Sequence, residues 1–401
     1  MKLKIKFVCL SLIVTGTVGA ATEIELDGQL RLRNEHRHFP HNTKDKRNAT
    51  GYRARLGLTA KIDSNLKVYL SPQAVKGYGE VISQSNDEGD NSVRSSGDKY
   101  HSSVDLFEGY IESKGDGYKY KLGKQRLKYD DQKILGERNW TPGGASFDAV
   151  LFQKNIGEKG KLDLVYSQIS DGNTSNDETD DILLAFAYYK LKINSTHQLS
   201  LYAIHNSERK VLESSTYGFR IHHVWGNFTF TTENMYQQQI DFSNDKKRNE
   251  HNVNIDLAYQ VSQSTELVLS YMQASTFYDQ LYVNRHKYNG IIDVLGRKNL
   301  EAIGMGVHVK TDSPWSYSIE LFTFNRKDEN AVAYNQATSS SISGDMDEKH
   351  LGDELDILID YKKNEHEKFR LGLAQFNYGK YFEGDLNSAN FAYLEYLLKF
   401  N

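Results

Sequence analysis

Gly51-Tyr52-Arg53-Ala54-Arg55-Leu56-Gly57-Leu58-Thr59-Ala60-Lys61-Ile62 decides the fold class of this chain. Tyr52, Ala54, Leu56, Leu58, Ala60 and Ile62 fall on one side of a period-two pattern; Arg53, Arg55, Gly57, Thr59 and Lys61 fall on the other. Successive side chains leave a strand on opposite faces, so this stretch is a strand with one apolar face and one suited to water. Residues 24–33 repeat the pattern, with Ile24, Leu26, Leu30 and Leu32 set against Glu25, Asp27, Gln29, Arg31 and Arg33. Asp63-Ser64 leaves room for a minimal turn into the next segment.

Outward from there the chain divides into eighteen short β segments whose gaps alternate, short then long. The short gaps fall at 63–64, 115–117, 157–160, 194–195, 226–227, 262–263, 312–314 and 363–366. The long ones fall at 38–50, 76–101, 127–144, 171–179, 207–213, 241–250, 276–298, 326–349 and 379–388. A soluble sandwich has no reason to keep that rule, whereas a transmembrane barrel has tight periplasmic turns at one rim and longer loops at the other. The expected fold is therefore all-β: an antiparallel up-and-down barrel of about eighteen strands, with both termini on the periplasmic side. Tyr217, Phe219, Ile221, His223 and Trp225 oppose Arg220 and His222; Leu355, Ile357, Ile359 and Tyr361 oppose Glu354, Asp356 and Asp360; Phe369, Leu371 and Leu373 oppose Arg370. In the last strand Ala392, Leu394, Tyr396, Leu398 and Phe400 take the lipid face, an aromatic ending of the kind the barrel assembly machinery reads. Pro72 inside a segment forfeits a ladder bond or marks a bulge. Residues 122–128 and 146–153 do not alternate cleanly and are expected to be bulges or strand ends near a constriction.

Residues 1–20 have the layout of a secretory signal: Lys2, Lys4 and Lys6, then an apolar run from Phe7 to Val14, then Val18-Gly19-Ala20 before the cut. The organisation expected is a signal at 1–20 and one barrel domain at 21–401. Cys9 is the single cysteine and lies within the signal, so the mature chain has no disulfide. No stretch is long and apolar enough for a helical span. Without the signal lysines the balance is 46 basic against 53 acidic residues, which argues against a nucleic-acid partner. The 26 Tyr and 18 Phe could supply interface girdles, but they would equally suit a secreted glycan-binding β protein. Such a protein has no need of the strict loop alternation or of apolar outer faces.

Several segments resemble the alginate-export type of outer-membrane porin. They are Gln29-Leu30-Arg31-Leu32-Arg33, Tyr52 to Leu58, Val104-Asp105-Leu106 with Tyr110, Lys121-Leu122-Gly123-Lys124-Gln125, Asn139-Trp140 with Ser146-Phe147-Asp148, His350 to Asp356, and Phe391-Ala392-Tyr393-Leu394. They run from the first strand to the last. The resemblance implies an eighteen-stranded monomeric barrel with a basic constriction that passes a polyanionic uronate. It places that constriction at Arg31, Arg33, Arg53 and Arg55, with Lys121 and Arg126. One departure is visible: the exporter's long pore-plugging periplasmic turn corresponds here to the short Lys363 to His366.

The function expected is passive diffusion of small hydrophilic, anionic solutes such as uronates, organic acids or oligosaccharides, with export of the polymer alginate as the alternative. The chain has no nucleotide-binding glycine pattern, and no cofactor, metal or enzymatic activity is expected. Fixed guanidinium groups in a narrow lumen would concentrate anions and grip carboxylates. Arg220 and Arg370 join the pore-lining set, and Glu35, Asp105, Glu108, Glu112, Asp148, Glu354 and Asp356 are expected to face the same lumen. The loop 76–101 is the expected constriction. His36, His38 and His41 form a weak metal-like cluster, and the acidic run 171–181 suits divalent bridging to lipopolysaccharide better than a calcium loop. His205-Asn206-Ser207 is the best trace of a barrel hydrolase, but it lacks nucleophile-elbow glycines.

Overall fold

The computed structural model describes residues 23–41, 47–78, 103–170, 182–208, 211–336, 340–384 and 386–400. The expected signal segment and most of loop 76–101 lie outside the described residues, as does the acidic run 171–181. The strands are β1 (Glu23–His38), β2 (Arg47–Lys61), β3 (Leu66–Tyr78), β4 (Ser103–Gly115), β5 (Tyr118–Gln125), β6 (Phe147–Ile156) and β7 (Gly160–Ser170). They continue as β8 (Ile182–Lys192), β9 (His197–Glu208), β10 (Leu212–Trp225), β11 (Phe228–Asp241), β12 (Lys246–Gln260), β13 (Thr265–Ala274), β14 (Leu300–Lys310) and β15 (Trp315–Arg326). A small hairpin, β16 (Ala333–Tyr334) with β17 (Ser341–Ile342), precedes β18 (His350–Lys362), β19 (Glu367–Tyr378) and β20 (Ala389–Phe400). Apart from the hairpin, each strand pairs antiparallel with its neighbours in a single 18-stranded sheet, and β1 pairs with both β2 and β20, so the sheet closes. Closure removes both edges, which in lipid would otherwise carry unpaired backbone groups.

The period-two reading of β1 and β2 holds residue by residue. Arg31, Arg33, Glu35 and Arg53 are buried inside the barrel, while Leu26, Leu32, Leu56 and Leu58 are exposed on the outer wall. At the short rim, side chains close the turns: the Asp63 carboxylate accepts from the backbone N–H groups of Asn65 and Leu66, and Asn194 and Asn364 do the same for the residues two and three places on. These Asx turns explain why such short connections suffice.

Pro72 marks a bulge. Ser71 pairs with Glu108 but Pro72 pairs with Leu106, so Phe107 is the extra residue on β4. The bulge turns Phe107 inward beside Glu108, and the Arg55 guanidinium lies 3.4 Å from its ring centroid. At the seam Gly28 faces Phe400, whose ring lies so close that a Cβ on Gly28 would sit 2.2 Å from it.

One strand corrects the sequence reading. In β6, Phe147, Ala149 and Leu151 are buried inward, whereas Asp148 and Val150 point outward. Asp148 is therefore not lumenal; it pairs on the outer surface with Lys124 at 3.6 Å. The inner face of this strand is apolar because loop 126–146 folds back into the barrel and packs against it, with Leu127, Tyr129, Ile134 and Leu135 in the same buried cluster.

Candidate functional site: a lumen crossed by two loops

Two loops occupy the lumen. Loop 126–146 leaves β5 and loop 275–299 leaves β13, and they meet where Leu135 bridges Tyr282. Both are rich in apolar residues, including Ile134 and Leu135 in the first and Leu281, Val283, Ile292 and Val294 in the second, all of them buried. Burying them inside the barrel is the favourable outcome.

The four arginines of β1 and β2 hold the first loop down. Arg31 donates to the carbonyls of Asn139 (2.6 Å) and Thr141 (3.0 Å), and Arg33 to that of Trp140 (2.9 Å). Arg53 donates to the Asn139 side chain (2.7 Å), and Arg55 to the Gly143 carbonyl (2.9 Å) and to Gln73 (2.6 Å). Gly144, at φ +72°, permits the close approach, since a Cβ there would lie 2.6 Å from an Arg55 nitrogen. Arg33 also pairs with Glu35 at 2.6 Å and lies 3.7 Å over the Trp140 ring, whose other face stacks on His286 at 3.5 Å. That stack joins the two loops.

The second loop is anchored on strands other than β1 and β2, from β9 and β11 to β18. The backbone N–H of Ile292 donates to Glu354 (2.9 Å), and that of Ile291 to Asp356 (3.0 Å). Tyr282 donates its hydroxyl to Asn206 (2.7 Å), and Gln237 accepts from the Asp279 N–H (2.8 Å). Glu354 and Asp356 are thus lumenal, and each holds loop backbone.

Other expected residues lie nearer water. Arg126 pairs with Glu108 (2.8 Å) and Glu137 (3.3 Å), and Lys128 with Glu137 (3.4 Å), yet the Arg126 and Lys128 side chains stay 44% and 54% exposed. Lys121 sits 3.6 Å from the Tyr110 ring centroid, and Glu112 gathers Lys67 (3.2 Å), Lys114 (3.6 Å) and Lys119 (4.0 Å). Arg220 donates twice to Asp131 of loop 126–146 (2.7 and 2.9 Å), and Arg370 grips Asp360 with two bonds (2.6 and 2.8 Å). Asp105 accepts a long bond from Gln73 at 3.4 Å. In the loop itself, burial would raise the Asp130 carboxyl, but bonds from Lys190 and Tyr188, both 2.7 Å, outweigh it and hold it below the ordinary carboxylate range.

A family model for alginate export matches residues 23–391. The chain belongs to the alginate-export family. No curated protein matches it in sequence. Among solved structures it is similar to OccAB1 of Acinetobacter baumannii (TM-score 0.67, 11% identity, 94% of this chain and 96% of that one). It is also similar to OccAB4 of the same organism (0.66, 12%, 96% and 100%) and to Pseudomonas aeruginosa OpdK with vanillate (0.65, 11%, 94% and 98%). At these identities the likeness establishes the fold: a closed eighteen-stranded outer-membrane barrel of the porin type.

Within this family member, the hydrolase-like triplet does not converge. His205 faces outward and bonds Ser215 at 3.0 Å, Asn206 faces inward to Tyr282, and Ser207 bonds Glu213 at 3.4 Å. His36 bonds Asn48 on the outer face while His41 packs among Phe39, Tyr378 and Phe382, and no cluster of three metal-ligating side chains occurs among the described residues. Sequence reasoning missed Lys128, Glu137, His286 and Lys287 as lumenal groups. The available signal was the apolar content of loops 126–146 and 275–299, which a solvated outer loop would not carry.

Proposed function

We propose that this protein is a passive outer-membrane channel for small hydrophilic solutes, favouring anions. The observation that carries the reading is the pair of crossing loops: they narrow the lumen and leave the exposed Arg126 and Lys128 side chains at its edge. Lys67, Lys114, Lys119 and Lys121 continue the basic wall towards the periplasmic rim along β3 to β5. Further from that rim the four anchoring arginines, set against Glu35 and Glu395, add a fixed positive field although their donors are engaged by loop carbonyls. In a confined aqueous path such a field raises local anion concentration. Uronates and related organic acids are the solutes whose carboxylates fit it.

Two features favour small solutes over export of an alginate chain. The turn between β18 and β19 is four residues, 363–366, too short to plug a tube. The loops that cross the lumen are each fastened to the wall by hydrogen bonds. The test is single-channel conductance of detergent-purified protein in a planar bilayer under a KCl gradient. Steady open steps with an anion-favouring reversal potential are expected. A cation-favouring reversal would transfer selectivity to the acidic groups, and a barrel that conducts nothing would return the gated-exporter reading.

A further inference from the structure

Under the apex of loop 275–299, against the inner wall of β11 to β15, lies a cavity of about 290 Å³. Its two ends carry opposite charge. At the loop end Lys133 and Lys287 lie 5.1 and 5.2 Å from the Tyr288 ring centroid. The Lys133 ammonium is neutralised by Asp256, whereas Lys287 is exposed and makes a long contact, 3.4 Å, to the Asp131 carbonyl. At the wall end His308 stands between Glu320 (2.6 Å) and Glu266 (3.6 Å), so one imidazole faces two carboxylates and that end is negative in either protonation state.

Ser270 lines the cavity between the ends, and glycines follow beside it on the next strand. Asp256 on β12 pairs with Ser270 on β13, Ser270 with Gly304 on β14, and Gly306 with Glu320 on β15. A Cβ on Gly306 would stand 2.7 Å from the Glu320 Cγ, so a larger side chain there would crowd the carboxylate. At the roof the Tyr288 hydroxyl and the Asn289 side-chain nitrogen are buried without a hydrogen-bond partner, which is costly unless something else meets them. Three interstrand spacings of about 4.8 Å and a two-residue offset along the strand put the Asp256 and Glu320 backbones about 16 Å apart, and their side chains reach into that gap.

From this arrangement we propose that the cavity is a binding subsite for an elongated zwitterion, a di- or tripeptide in size, with its carboxylate at Lys287 and its ammonium at Glu320. The proposal rests on the barrel being a solute channel and adds a class of solute that a purely anion-attracting lumen does not select. Extended peptide covers about 3.5 Å per residue, so three residues span the two ends. Tyr288 and Asn289 line the roof above the peptide between.

The probe is triglycine, compared with N-acetylglycylglycine, which keeps the negative end, and glycylglycinamide, which keeps the positive end. Each is titrated against single-channel current in KCl and, in parallel, by calorimetry on the detergent-solubilised barrel. Triglycine is expected to interrupt the current saturably and to bind at least about five-fold more tightly than either analogue, as two solvent-touched ion pairs allow. In Lys287→Gln the advantage over glycylglycinamide should disappear, and in Glu320→Gln the advantage over N-acetylglycylglycine. Heat-modifiable mobility checks that both variants fold. Equal binding of the three probes to the unmodified protein overturns the subsite while leaving the channel intact. Absent KCl conductance with selective triglycine binding by calorimetry would instead sink the channel reading and keep the subsite.

Discussion

A guanidinium that donates to a backbone carbonyl keeps its charge but is no longer free to meet a solute. Arg53 and Arg55 are in this position, so their loss and the loss of Arg126 should be distinguishable. Changing Arg53 and Arg55 together to Ser is expected to loosen loop 126–146, giving larger and noisier single-channel steps. Changing Arg126 and Lys128 to Ser should leave step size nearly constant and move the reversal potential towards cations. If both pairs act alike in a KCl gradient, anchoring and selectivity are not separate roles. Asp130 offers a pH test. Its carboxyl lies below the ordinary range in the folded barrel, so its stabilising effect is present above the unfolded value, about 3.9, and fades as pH falls through the folded one. Asp130→Asn should destabilise by about 1–3 kcal/mol at neutral pH, and the gap to the unmodified protein should close in acid when the heat-modification midpoint is followed against pH.

Among the elements, the strands were legible wherever the inner face is polar. Arg31 and Arg33 against Leu30 and Leu32 show the alternation directly, because water on one side and lipid on the other demand different chemistry. β6 was not legible, because Phe147, Ala149 and Leu151 face a packed loop rather than water, so both faces read alike. The anchoring role of Asn139 and Trp140 was hidden for a different reason. The arginines bind mostly their backbone oxygens, and no side-chain pattern reports that a carbonyl will be used. The expectation placed on loop 76–101 lies outside the described residues, and the two loops seen crossing the lumen are others. The seam between β1 and β20 gives the prediction at this scale. Gly28→Val would drive a side chain into the Phe400 ring, and the fraction of protein reaching the heat-modifiable form in membranes should fall. Adding Phe400→Leu should recover part of it, and equal assembly of Gly28→Val and the parent would show that the seam does not need this contact.

For the whole molecule, the wall and the contents of the barrel do different jobs. The wall is a closed hydrogen-bonded sheet whose backbone pairing is complete without the loops inside. Replacing residues 278–296 by a short Gly-Ser linker should therefore leave a folded barrel with conductance raised several-fold, measured in the same planar bilayers. A barrel that fails to assemble without them would mean that the loops are part of the folding core. The carbonyl grip on residues 139–143 has a consequence for how such channels diverge. Because the arginines bind mainly main chain, the side chains of that segment apart from Asn139 and Trp140 can drift across generations without undocking the loop. If the barrel conducts solutes as proposed, a lineage could thus change solute preference by point changes at the constriction, with the architecture inherited intact.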